Sequence, residues 1–160
     1  MKNKFYILLI FQIVSSYHVY GKSDLDIIDN ILEIIDNPKS KIFHTNIELP
    51  KVIYDELSKL SEEDFKLANP KEPFNIGVRI DKKLPSRQLR FIINLGKSWL
   101  LCYTHGGSRA SHTHILIIEA NDKGEFYVQN FSAIEQIKNE NKLKKYLKKG
   151  IIELSAGYEL

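Results

Sequence analysis

Three histidines, His105, His112 and His114, fall within one ten-residue stretch of the chain. Three imidazoles that converge can hold zinc tetrahedrally, at nitrogen–metal distances of about 2.0–2.1 Å, and leave the fourth position to water. Such a water has its pKa lowered to about 7 and becomes a nucleophile for hydrolysis or hydration. Convergence depends on a hairpin. Residues two apart on a strand share a face, so His112 and His114 do. If the connection is the six residues 106–111, His105 lies opposite His112 and Tyr103 opposite His114. Directly opposed residues bring their Cβ atoms within about 4.5–5.5 Å. A slip of one residue in register would carry His105 to the other face. No Asp or Glu lies between residues 105 and 114 to orient an imidazole, as outer-shell partners usually do. The plain alternative is three hairpin-end histidines bonded to backbone or water.

The connection itself offers a second chemistry. In Gly106, Gly107, Ser108 and Arg109 the glycines let backbone approach a ligand, and loop N–H groups can form an anion-binding concavity. Arg109 can grip a carboxylate or phosphate bidentately. The competing reading is that the glycines only supply the backbone angles of a turn. Cys102 is three residues from His105, so on a regular strand its thiol points to the opposite face, which argues against a cysteine–histidine nucleophile. Ser108 and Ser111 have no acidic partner or nucleophile-elbow sequence to make a serine–histidine pair.

Charge excludes other classes. The chain carries 23 basic and 20 acidic residues, a net of +3, and two of the basic ones, Lys2 and Lys4, open the sequence ahead of an apolar run over residues 5–14. A basic start and a short apolar core form the pattern of a secretory signal peptide, and the run is too short to span a bilayer, which needs about 20 apolar residues. Cleavage after Ser16 or Gly21 suits the peptidase's need for small residues, so residues 1–21 read as the signal and residues 22–160 as a single α+β domain. The mature charge is then close to neutral, which gives no field for nucleic acid. The only cysteine is Cys102, so no intramolecular disulfide forms and no cysteine is available near the cleavage site for a lipid anchor. The expected location is the periplasm or the exterior, with no stable membrane span. Clustered lysines (Lys138, Lys142, Lys144, Lys145, Lys148 and Lys149) read as a solvated helix face.

The elements that must hold the histidines can be read from periodicity. Ser23 caps a helix with Leu25, Ile28, Leu32 and Ile35 at three- and four-residue spacing, stopped by Asn37-Pro38. A short extended stretch lies between Ile42 and Leu49. Pro50 opens a second helix carrying Val52, Ile53, Leu57 and Leu60, and Ser61-Glu62-Glu63-Asp64 caps a further helical turn to about Ala68. Alternation then predicts strands over residues 74–80, 89–95, 98–105, 112–120 and 125–131, the last two joined by the turn Asn121-Asp122-Lys123-Gly124. Ser132 and Glu135 form a capping box for two short helices broken near residues 139–141, Gly150 ends the second, and residues 151–154 return as an edge strand.

The fold expected is α+β: N-terminal helices, an antiparallel β-meander of about five strands and a short C-terminal helical region. Both faces of the central hairpin are apolar (Trp99, Leu101 and Tyr103 against Leu100 and Cys102), so either helices cover each side or one face packs on a second copy as a homodimer. These features leave two functions. The preferred one is a small exported, non-catalytic protein binding an unknown protein or a small anionic ligand through the hairpin end at residues 105–114, because no complete catalytic constellation can be assembled. The alternative is a zinc-dependent hydrolase or metal-binding protein using His105, His112 and His114.

Overall fold

The computed structural model of the chain describes residues 24–61, 64–76, 80–106, 111–151 and 155–156. The segment expected to be a signal peptide, residues 1–21, lies outside them, as do Gly107, Ser108 and Arg109 of the proposed anion-binding stretch. Helix α1 (Asp24–Asp36) leads to a short strand β1 (Lys41–Phe43) and one 3-10 turn, Asn46–Glu48. Helix α2 (Lys51–Leu60) follows Pro50, and a two-residue strand β2 (Leu67–Ala68) precedes the long meander. The meander is β3 (Arg87–Leu95), β4 (Ser98–His105), β5 (His112–Ala120) and β6 (Phe126–Ala133). Helix α3 (Glu140–Lys148) and a short β7 (Ser155–Ala156) close the chain. Sheet order is β1-β3-β4-β5-β6-β7, with β2 added parallel to the start of β3.

The expected α+β architecture is the one present, with helices on each side of the sheet. On one face Phe91, Ile93, Leu100, Cys102, Ile115 and Ile117 pack against Ile31 and Ile34 of α1 and Leu143 and Leu147 of α3. On the other face Leu89, Ile92, Leu101, Tyr103, Leu116 and Ile118 pack against Ile53 and Leu57 of α2, with Leu49, Phe65 and Leu67. A strand apolar on both sides must be covered on both, and here the chain covers itself. On its outer side β6 is paired only at Phe131 and Ser132, leaving a stretch of open edge among the described residues that can serve as an interaction surface. No helix among the described residues is long and apolar enough to cross a membrane.

Several expected elements differ. Residues 74–76 and Ile80 form no strand, and Ile76 and Ile80 are exposed. The buried Asn75 competes with sheet formation: its amide donates to the carbonyls of Asp81 and Leu84 at 2.9 and 2.8 Å, and its oxygen accepts from the Asp81 N–H. Side chain-to-backbone bonds of this kind close a loop that alternation alone reads as a strand. The expected helical turn to Ala68 is instead irregular from Asp64 to Lys66 and extended at Leu67 and Ala68, which add to β3. Ser132 does not cap a helix, because β6 runs through it to Ala133; the cap is Asn139, whose side chain accepts from the Lys142 N–H. Gly150, at φ 58°, ends α3 as expected. The last strand lies at Ser155–Ala156, beyond the expected position, and residues 152–154 are outside the described residues. In α1 the buried positions are Ile31 and Ile34, with Ile28, Leu32 and Ile35 flanking them.

Strand β3 is not regular along its length. Its register with β4 shifts between Leu89 and Phe91, a bulge at Arg90. A strand with one extra residue turns everything beyond it to the opposite face. Leu89 therefore faces α2 while Phe91 and Ile93 face α1 and α3, although simple alternation puts all three on one side. The same bulge brings Arg87 to the face that carries the histidines.

Candidate metal centre

The three imidazoles meet at the end of the α2-facing side of the sheet. The β4–β5 register pairs His105 with His112 and Tyr103 with His114, as a six-residue connection requires. One ring nitrogen from each histidine lies within 4.8 Å of those of the other two, and among the described residues the group contains no carboxylate. Ring centroids are 5.5 Å apart for His105 and His112, 5.6 Å for His105 and His114, and 4.6 Å for His112 and His114. His114 is buried, at 2% exposure, while His105 and His112 sit half-buried at the rim.

His114 is held on two sides. Tyr103 stacks on it, with ring centroids 4.9 Å apart and planes within 3°. Asn130, from β6, sets Oδ1 3.0 Å from Nδ1. An amide oxygen only accepts, so the ring nitrogen facing it carries the proton and His114 Nε2 keeps its lone pair. That nitrogen lies 2.7 Å from His112 Nε2, which in the metal-free protein donates to it. Neither Asn130 nor its role is evident in the histidine segment itself. The hairpin turn at Asn121 to Gly124 sets the β5–β6 register, pairs His114 with Ser132 and Leu116 with Asn130, and so puts Asn130 diagonal to His114 on the same face. A register derivation from that turn would have found the imidazole's orienting partner.

Burial keeps two of the three rings, His105 and His114, neutral. Burial, and then the charge of Arg87 and the neighbouring rings, pulls the His105 pKa down to about 4. Burial also pulls His114 down to about 4, against the hydrogen bond it donates to Asn130, which acts in the opposite direction. Neutral imidazole is the form that ligates a metal, so no proton has to be displaced from these two rings at neutral pH by protonation equilibrium alone. His105 Nδ1 is sealed from solvent and has no hydrogen-bond partner. A buried nitrogen left this way costs about 1–3 kcal/mol, and a cation within reach would satisfy the lone pair.

The fit to a tetrahedral ion follows from these distances. Ligand nitrogens about 2.0–2.1 Å from zinc lie about 3.3 Å from one another. The His112–His114 pair must open from 2.7 Å, and the widest pair must close from up to 4.8 Å. His114 is held by Tyr103 and Asn130, so the adjustment falls on the half-buried rings of His105 and His112. The residue types present therefore suit a cation of borderline softness.

The other candidates fare differently. Gly106 is a close-approach glycine: a Cβ there would lie 1.7 Å from the Asn75 carbonyl oxygen, and its N–H donates to the Ser86 carbonyl at 2.8 Å. It ties Asn75 and Ser86 to the end of β4 beside His105. Cys102 is fully buried on the opposite face, and burial pushes its thiol far above the ordinary range, so it is no nucleophile. Arg87 was not anticipated. It lies across from His105, buried at 3% exposure, with Cζ 5.0 Å from the centre of the Phe65 ring. Phe65 in turn meets Tyr103 edge-on at 5.6 Å. Comparison of the chain with family models, with curated proteins and with solved structures finds no match to any of them.

Proposed function

We propose that this is a metal-binding protein in which His105, His112 and His114 hold one divalent ion, zinc first among the candidates. This reading is preferred over a non-catalytic binding protein acting through the hairpin end. The observation that carries it is the approach of three ligand nitrogens to within 4.8 Å of one another. The orienting bond from Asn130 and the orphaned His105 nitrogen support it. With three neutral ligands the fourth position goes to water, whose acidity the ion raises to a pKa of about 7. Hydrolysis or hydration is the chemistry such a water supplies, and esters and phosphoesters are the first substrates to assay. The basic–apolar start of the chain supports export to the periplasm or the exterior, where N-terminal sequencing of the secreted protein would find cleavage after Ser16 or Gly21.

The test is a zinc titration of chelator-treated protein against a chromophoric competitor. The expected result is one ion per chain, with the binding abolished in His114→Ala. Failure to compete for zinc at any stoichiometry, in protein that is folded, would overturn the proposal.

A further inference from the structure

Two buried polar atoms of β4 have no hydrogen-bond partner, His105 Nδ1 and the Tyr103 hydroxyl. They stand two residues apart on one strand and so on one face, the face where the imidazoles meet. Buried polar side-chain atoms are nearly always paired, so two orphans side by side point to a ligand. An ion accounts for the first, because an imidazole nitrogen can offer it a lone pair. It does not account for the second. A phenol keeps its proton at neutral pH, and what it presents to a cation is a hydrogen. The nearby guanidinium of Arg87 does not account for it either, since that group only donates. What Tyr103 lacks is an acceptor.

The ring that carries this hydroxyl is firmly placed. It is fully buried, lies flat on His114 with centroids 4.9 Å apart, and meets Phe65 edge-on at 5.6 Å. The charge of Arg87 acts on Tyr103, His105 and His114 alike, as it must where the three share one enclosure. We propose that Tyr103 donates its hydrogen bond to an oxygen held on the ion. It thereby selects ligands that bind the metal through oxygen and keep a lone pair for the phenol, carboxylates first, which are the products of ester hydrolysis. This inference rests on the three-histidine metal reading. An entering ion must part His112 from His114, whose nitrogens are 2.7 Å apart, and the ligand oxygen takes the room so made beside the Tyr103 ring.

Tyr103→Phe removes the hydroxyl and keeps the ring, so the contacts with His114 and Phe65 survive. Because that hydroxyl has no partner in the protein, urea unfolding is expected to show the metal-free variant at least as stable as the parent. Cobalt-loaded parent and variant are then titrated with acetate and with thiocyanate, which binds such metals through nitrogen and offers no oxygen. The visible spectrum of the ion reads the occupancy. Acetate is expected to bind the variant roughly 10–100-fold more weakly than the parent, the worth of a hydrogen bond to a charged acceptor, and thiocyanate to bind both within about twofold. Equal acetate affinity in the two proteins overturns the role of Tyr103 while the metal reading stands. Equal losses for both anions overturn it too, since the change then acts through the site as a whole. A variant that loads cobalt much more weakly than the parent makes the phenol a metal ligand, which overturns its role as a donor. A folded parent that takes up no cobalt overturns the metal reading, and this inference with it.

Discussion

Replacing Asn130 by leucine separates an organised metal site from a chance meeting of histidines. Leucine keeps the branched shape of the side chain and removes its amide, and with it the acceptor 3.0 Å from His114 Nδ1. In the metal-free variant the loss is cushioned, because the His114 proton can move to Nε2 and be shared with His112, 2.7 Å away. The metal-bound form has no such escape. There Nε2 belongs to the ion, Nδ1 must carry the proton, and at 2% exposure water cannot take the place of the amide. A buried unpaired N–H costs about 1–3 kcal/mol, and it falls on the loaded state alone. That corresponds to a loss of roughly 10–100-fold in affinity, the range found when outer-shell partners of metal-ligating histidines are removed. Zinc competition at pH 7.5 measures it, with urea unfolding alongside to show that the fold is retained. Asn130→Asp is expected to hold the parent affinity or exceed it, since a carboxylate accepts the same proton more strongly. A leucine variant that stays folded and binds zinc within twofold of the parent would refute the role of Asn130.

Acid should destabilise the metal-free protein. His105 and His114 are pulled down to about 4, against an unfolded value of about 6.5, so between those limits the unfolded chain binds more protons. Stability is then full above about pH 6.5 and is lost as the pH falls toward 4, by at most about 3 kcal/mol per histidine and less at the solvent-screened rim. Urea midpoints at pH 7.5 and pH 5 read this out, and equal midpoints would contradict it. Gly106→Ala puts a Cβ 1.7 Å from the Asn75 carbonyl oxygen, so the backbone at Asn75 must shift, at a cost of about 1–3 kcal/mol. Because the displaced backbone adjoins His105, zinc affinity should fall with stability, and an alanine variant unchanged in both would show that this contact is not needed.

How much of the molecule is legible in its sequence depends on the range over which each signal acts. The meeting of His105, His112 and His114 was legible because strand periodicity and the length of one loop decide it locally. The turn at Asn121 was equally plain: its side chain accepts from the N–H groups of Lys123 and Glu125, and Gly124 takes φ 79°. Arg87 was hidden by the bulge at Arg90, a single extra residue that leaves no periodic mark and yet exchanges the faces of Arg87 and Leu89. Residues 74–80 alternate as well as any true strand, and at the described positions 74–76 and 80 the bonds of Asn75 to Asp81 and Leu84 accompany irregular backbone instead. Ser132 and Glu135 satisfied a capping pattern, but pairing of Ser132 with His114 and of Phe131 with Ile115 kept that stretch in the sheet. In that last case tertiary pairing outweighed a local preference.

The most direct test is the metal content of the mature protein, purified without a histidine tag, beside a His112→Ala/His114→Ala double variant. A three-histidine metal centre predicts close to one zinc per chain in the parent and none in the variant, both folded. A parent that is empty and refuses added zinc, or a double variant that retains a full complement, would contradict it.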